Sequence, residues 1–158
     1  MRHDIYIKRN ELQQQVDLKT YYLGEAVKRK DADADTLQSS KDEKELFVMF
    51  TKRALNELTA AVALRFSSID YRISEKHIEI SFCNTKDNRK HLLPQLKQAI
   101  IDYLANEITM HWLLMRYPTA AQPYIAQSTS LHSNVQQMLA KFYNSTHVRR
   151  RSTDLAGI

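Results

Sequence analysis

Glycine and proline are nearly absent: two of the first and three of the second in 158 residues. Sandwiches and barrels of short strands rely on both at their turns, so this scarcity argues against them and for long helices. Cys83 is the one cysteine, which excludes an intrachain disulfide. A chain of that kind suits synthesis in the cytoplasm. No apolar run approaches the ~20 residues of a membrane-spanning helix, so no membrane partner is expected. The opening "MRHDIYIKRNEL" has no apolar core of signal-peptide length, so secretion is not expected either. Also missing are a glycine-rich phosphate loop, a His-Glu-x-x-His run and a nucleophile with a suitably spaced base. The chain is therefore not expected to be an enzyme or to hold a cofactor.

What is present is an ordinary apolar fraction, 43%, enough for a packed core. The length fits one domain. The net charge of +5 is modest, and its placement says more than its size. "KDADADTLQSSKDEKE" is a polar, acid-containing stretch, while "HVRRR" near the other end is basic. Opposite charges on separate segments let copies of a chain attract one another head to tail.

Apolar spacing divides the chain. "DIYIK" alternates, which predicts a short strand or an extended arm. Leu12, Val16, Leu23 and Val27 recur at helical spacing, with Tyr22 and Ala26 beside them. They predict a helix from about Asn10 to Lys30, with a break possible at Gly24. "DADADTLQSSKD" has no apolar face and is expected to be a loop ending at Asp42, an N-cap. Leu46, Phe47, Phe50, Ala54, Leu58, Ala61, Val62 and Phe66 predict a second helix from about Lys44 to Phe66.

The period then changes to two. Ile69, Tyr71 and Ile73, then Ile78, Ile80 and Phe82, predict a hairpin at about 68–83, turning at Glu75-Lys76. That register sets Arg72 opposite Glu79 and Tyr71 opposite Ile80. Tyr71, Ile73, Ile78 and Ile80 are candidate packing or subunit-contact residues, because an isolated hairpin is barely stable and its apolar face must be covered. A third helix starts near Pro94, stops before Pro118, and is apolar around much of its girth, which predicts a central position. Its stripe runs on through Leu114 and Met115. A fourth helix carries Tyr124, Ile125, Leu131, Val135, Met138, Leu139 and Phe142. The expected fold is therefore mainly α: a bundle of about four helices with one β-hairpin between the second and third. It forms a single domain over 1–143, followed by a basic extended tail over 144–158.

Three patterns invite a chemical reading. Asp31, Asp33 and Asp35 alternate, with Asp42 at the twelfth place of a calcium-type loop. Thr36 stands where that loop needs glycine, and Asp42 where it needs glutamate, so a solvated acidic loop is expected and no metal. Glu107 and His111 share a helical face but lack further ligands, so His111 is read as a core or interface histidine. Tyr21, Tyr22, Tyr103, Trp112, Tyr117, Tyr124, Phe142 and Tyr143 follow helical stripes and are read as core rather than as base-stacking platforms. His147, Arg149, Arg150 and Arg151 in the tail are candidates for contact with an acidic partner or with DNA phosphates. No reading helix or finger accompanies them, so a DNA contact there would ignore sequence.

The order "TYYLGEAVKRKD", polar loop, "EKELFVMFTKRALNELTAAVALRF", hairpin, "LLPQLKQAIIDYLANEITMHWLLMRYP" and basic tail resembles small neck proteins of tailed bacteriophages. In particular it is similar to the head–tail connector, adaptor or ring proteins of Bacteroidetes phages and prophages. The closest local likeness is "TYYLG" on the first helix. The resemblance implies a structural virion protein at the head–tail junction. It implies a homo-oligomeric ring, twelvefold, beneath the portal protein and against other neck or tail proteins, lining the path of packaged DNA. It also implies terminal arms that reach onto the portal or a neighbouring subunit. The alternative is a small DNA-binding or regulatory helical protein whose basic tail holds phosphates.

Overall fold

The computed structural model describes residues 2–28, 43–63, 69–83 and 87–143. The acidic loop with Asp42, the end of the second helix up to Phe66, and the tail with His147, Arg149, Arg150 and Arg151 lie outside the described residues. Among those described, the chain runs β1 (Arg2–Lys8), α1 (Arg9–Lys28), α2 (Lys44–Ala63), β2 (Ile69–Ile73), β3 (His77–Cys83), α3 (Leu93–Arg116) and α4 (Gln122–Ala140). Short 3-10 segments at Asp87–Leu92 and Pro118–Ala121 lead into α3 and α4.

The fold is mainly α, four helices with a three-stranded antiparallel sheet, where the sequence pattern predicted a hairpin alone. The hairpin has the expected register: Arg72 faces Glu79, Tyr71 faces Ile80, and the Ser74 amide donates to the His77 carbonyl at 2.9 Å. The difference is β1. Far from being a loose arm, it pairs along its whole length with β3, setting Ile5 against Ile80 and Ile7 against Ile78. Strand β3 is thus central in the order β1-β3-β2. A hairpin leaves two edges open, and three strands over one apolar face reach a stability that two do not. His3, Ile5 and Ile7 point to the core, alternating with exposed Arg2, Asp4, Tyr6 and Lys8.

The inner face of the sheet packs within this same chain. Ile78 and Ile80 are buried, and Tyr71 and Ile73 are half-buried against the core. The Tyr71 hydroxyl donates to Asn56 Oδ1 on α2, fastening one edge strand to a helix. At the other end, Phe82 meets Phe142 edge to face, with ring centres 5.2 Å apart, and His3 leans on both rings. Burying each isoleucine of this face contributes about 2 kcal/mol.

Helix α3 is central, as its apolar girth predicted. It packs on α1, α2 and α4, and on β1 below them. From Tyr103 to Leu113 every residue is buried. Pro94 occupies the first turn, where its missing N–H costs nothing. At the other end the Tyr117 amide closes on the Leu113 carbonyl at 2.6 Å, and Pro118 stops the helix. The last turn departs from expectation. Leu114 and Met115 are exposed. Helix α1 runs through Gly24 without a break, since Gly24 falls on the buried side in line with Leu12, Val16 and Thr20.

Candidate interaction surface

Two polar clusters and one apolar surface stand out against this frame. The first cluster is buried in α3. Glu107 is 1% exposed, and the Ser128 hydroxyl of α4 donates to its Oε1. One turn on, His111 Nε2 lies 3.9 Å from Glu107 Oε2, too long for a hydrogen bond. The His111 ring stacks on Phe50 of α2 at 5.6 Å. On a neighbouring face the Asn106 amide donates to the Tyr124 carbonyl at 3.0 Å.

Burial pushes the Glu107 carboxyl above its ordinary range. The Ser128 hydrogen bond opposes this, and the charge of Glu57 adds to it. Burial, followed by the charge of Arg53, pushes His111 down. Both groups are driven toward their neutral forms. Burial also raises Tyr103 on the same helix.

This arrangement ties α4 to α3. It is not that of an activated nucleophile, which needs the hydroxyl on a base and the base on an orienting carboxylate. Here the hydroxyl faces the carboxylate directly. Among the described residues, no group of three or more His, Cys, Asp and Glu side chains is placed to hold a metal.

The second cluster lies on the outer face of the sheet. Arg2 Nε is 3.0 Å from Asp4 Oδ1, Arg2 Nη2 donates to Ser81 Oγ at 3.0 Å, and Ser81 Oγ donates to Asp4 Oδ1 at 2.7 Å. Ser81 and then Arg2 hold the Asp4 carboxyl below its usual range. Tyr6 lies over Glu79, whose charge raises its hydroxyl. A shallow hollow of about 400 Å³ opens here between Arg2, Asp70, Arg72, Glu79 and Cys83, whose thiol is exposed. Acids and bases on this face neutralise one another locally. A wider groove of about 760 Å³ lies between the first half of α1, the start of α2 and the hairpin turn. Arg9, Lys44 and Lys76 stand in it beside Asp17, Glu75 and Phe47.

The apolar surface belongs to the helices. Leu18, Tyr21 and Tyr22 on α1, Met49 on α2, Leu114 and Met115 on α3, and Ile125 on α4 are between 40 and 68% exposed. Leu114 and Met115 lie in the last turn of α3, and Met49 and Ile125 near the starts of α2 and α4. Arg116 joins Glu43 and lies 4.6 Å from the centre of the Trp112 ring. Lys19 of α1 lies 6.0 Å from the centre of the Tyr124 ring. Core packing of the helical aromatics therefore holds for Tyr103, Trp112 and Phe142, and in part for Tyr117, Tyr124 and Tyr143. It fails for Tyr21 and Tyr22, which lie opposite the stripe that α1 buries.

The hairpin candidates Tyr71, Ile73, Ile78 and Ile80 share one apolar face, turned into the chain's own core. Glu107 and Ser128 were not legible as partners, because they lie on different helices and no spacing rule joins them. The outward tyrosines had a usable signal: residues 18, 21 and 22 repeat at helical spacing out of phase with 12, 16 and 20.

Comparison of the chain with protein-family models, with curated proteins and with solved structures finds no match. No helix of the described residues is long and apolar enough to cross a membrane.

Proposed function

We propose that this chain is a structural subunit of a homo-oligomeric ring at the head–tail junction of a tailed bacteriophage. One observation carries the reading furthest. The "TYYLG" helix, on which the proposed resemblance to connector proteins rests most, presents Tyr21 and Tyr22 outward at 45 and 68% exposure. Contiguous exposed apolar side chains suit a surface that another protein covers, and these two rings meet edge to face. The rest of the fold suits a ring subunit. Helix α3, buried from Tyr103 to Leu113, packs on the three other helices, and a three-stranded sheet completes the subunit.

In this reading the ring is twelvefold and sits beneath the portal protein. It lines the DNA path without reading sequence. His147, Arg149, Arg150 and Arg151 contact an acidic portal or neighbour surface, or DNA phosphates. Electron microscopy of the purified full chain, alone and mixed with a purified portal, tests the reading. Closed rings with a central opening, or a collar on the portal, are expected. A particle of one or two subunits that ignores the portal overturns it. If that small particle also binds free duplex DNA, with affinity falling steeply as salt rises, the regulatory alternative takes its place.

A further inference from the structure

Helix α1 is apolar on two sides. Its inner stripe of Leu12, Val16, Thr20 and Gly24 is buried, and among the helices its main contact is α3. Leu18, Tyr21 and Tyr22 sit at i, i+3 and i+4 on the opposite side, 54, 45 and 68% exposed. A helix that packs on one neighbour needs one stripe, and a second stripe calls for a second partner. The two tyrosine rings already meet edge to face with centres 5.8 Å apart, so the patch is a formed ridge. The Lys19–Tyr124 contact brings the start of α4 alongside, with Ile125 40% exposed.

Size and charge narrow the occupant. Four side chains of this kind present on the order of 400 Å² of apolar surface, about half of what each partner contributes to a standard protein interface. That suits the centre of a protein–protein contact with a polar rim. Charges of both signs, Asp17 and Lys19, stand at the edge of the patch. Nucleic acid gains little from a balanced rim, and neither does an anionic membrane. A second copy brings the same balanced pair. In a closed ring the ridge of one copy meets a different face of the next, so the i, i+3 and i+4 side chains pack into a groove between that copy's helices, with Asp17 and Lys19 on the rim.

We propose that the outward stripe of α1, Leu18, Tyr21 and Tyr22, is the surface through which this chain binds a second copy of itself. This rests on the ring reading for its context and names the face that would join neighbouring subunits. The test is the mass distribution of the full chain at micromolar concentration, compared with Tyr22→Glu, Leu18→Glu and a sheet-surface control, Tyr6→Ser. Circular dichroism checks the fold of each, and the double variant Leu18→Ser/Tyr22→Ser replaces any glutamate variant that fails it. Self-association weakened at least about tenfold by the α1 variants and unmoved by Tyr6→Ser is expected. Native rings that persist unchanged in the α1 variants overturn this inference and leave the ring reading standing. Native dimers that the α1 variants split support the inference and overturn the ring reading. A native protein that stays monomeric overturns both, and equal loss in Tyr6→Ser overturns the inference.

Discussion

Helices α1 and α3 both carry apolar residues on more than one side, and the fold treats them oppositely. Helix α3 has three helical neighbours in its own chain and is buried on every side from Tyr103 to Leu113. Helix α1 has one main helical neighbour, yet it displays Leu18, Tyr21 and Tyr22 outward. A wide apolar girth therefore has two causes. In α3 it matches partners inside the domain. In α1 it exceeds them, and the surplus is what an assembling surface is made of. Mutations separate the two cases, because a residue with internal partners affects folding and a residue with external ones affects association.

The largest effect belongs to α3. Leu104 is fully buried and Ile100 is 1% exposed, so alanine at either leaves a cavity in the middle of the core. Each should lower the unfolding free energy by about 2–5 kcal/mol, read from denaturant melts with an unchanged m-value. Lys97→Ala, on the same helix but not in the buried core, should cost less than about 0.5 kcal/mol. Similar losses at all three positions would erase the distinction between the two helices, since α3 would then have no preferred inner face.

Next comes the polar seam that joins α3 to α4. Ser128→Ala removes the hydroxyl that donates to the buried Glu107 carboxyl. A buried acceptor left without its donor costs about 1–3 kcal/mol, so a loss in that range is expected. A neutral outcome would mean that the seam does not hold α4.

The same seam makes stability depend on pH. The folded state raises Glu107 above its ordinary value of 4.5 and so favours its protonated form. The stabilisation from that form is fully present below pH 4.5 and is lost as pH rises through the higher folded value. His111 works in the opposite direction. Its folded value lies below the ordinary 6.5, so its contribution is present above pH 6.5 and fades as pH falls. Other charged groups around the seam are Glu57 and Arg53 of α2. Glu107→Gln removes the carboxyl alone. Its melting temperature should therefore gain on that of the native chain as pH climbs from 4 to 8. A constant difference across that range would show that Glu107 titrates as it does in the unfolded chain.

Legibility from sequence followed locality. The hairpin register was readable because charge pairing, apolar alternation and a two-residue turn all agree within fifteen consecutive residues. The central role of α3 was readable from its girth, and its end from Pro118. The third strand was not. Arg2 to Lys8 meets His77 to Cys83 across some seventy intervening residues, and alternation alone cannot say where a strand will pair. The Ser128–Glu107 contact was hidden for the same reason. Tyr21 and Tyr22 depart from the core expectation because α1 is apolar on two sides and buries only one. Phase, not composition, separates Tyr22 from Val16.

The smallest effect on folding, and the most direct test of the comparison, lies on α1. Leu18→Ala removes a side chain that is 54% exposed. Surface substitutions of this kind usually move stability by less than about 0.5 kcal/mol, so at high dilution the variant and the native chain should melt together. Association changes that result. If copies bind through α1 only when folded, mass action stabilises the native chain as its concentration rises, and its melting temperature climbs. Leu18→Ala weakens the contact, so its melting temperature should climb less over the same series. The two melting curves should therefore coincide when dilute and separate when concentrated. Separation at every concentration would place Leu18 in the folding core, making α1 a second α3. Coincidence at every concentration would leave the outward stripe of α1 without an energetic role, and the surplus would be surface alone.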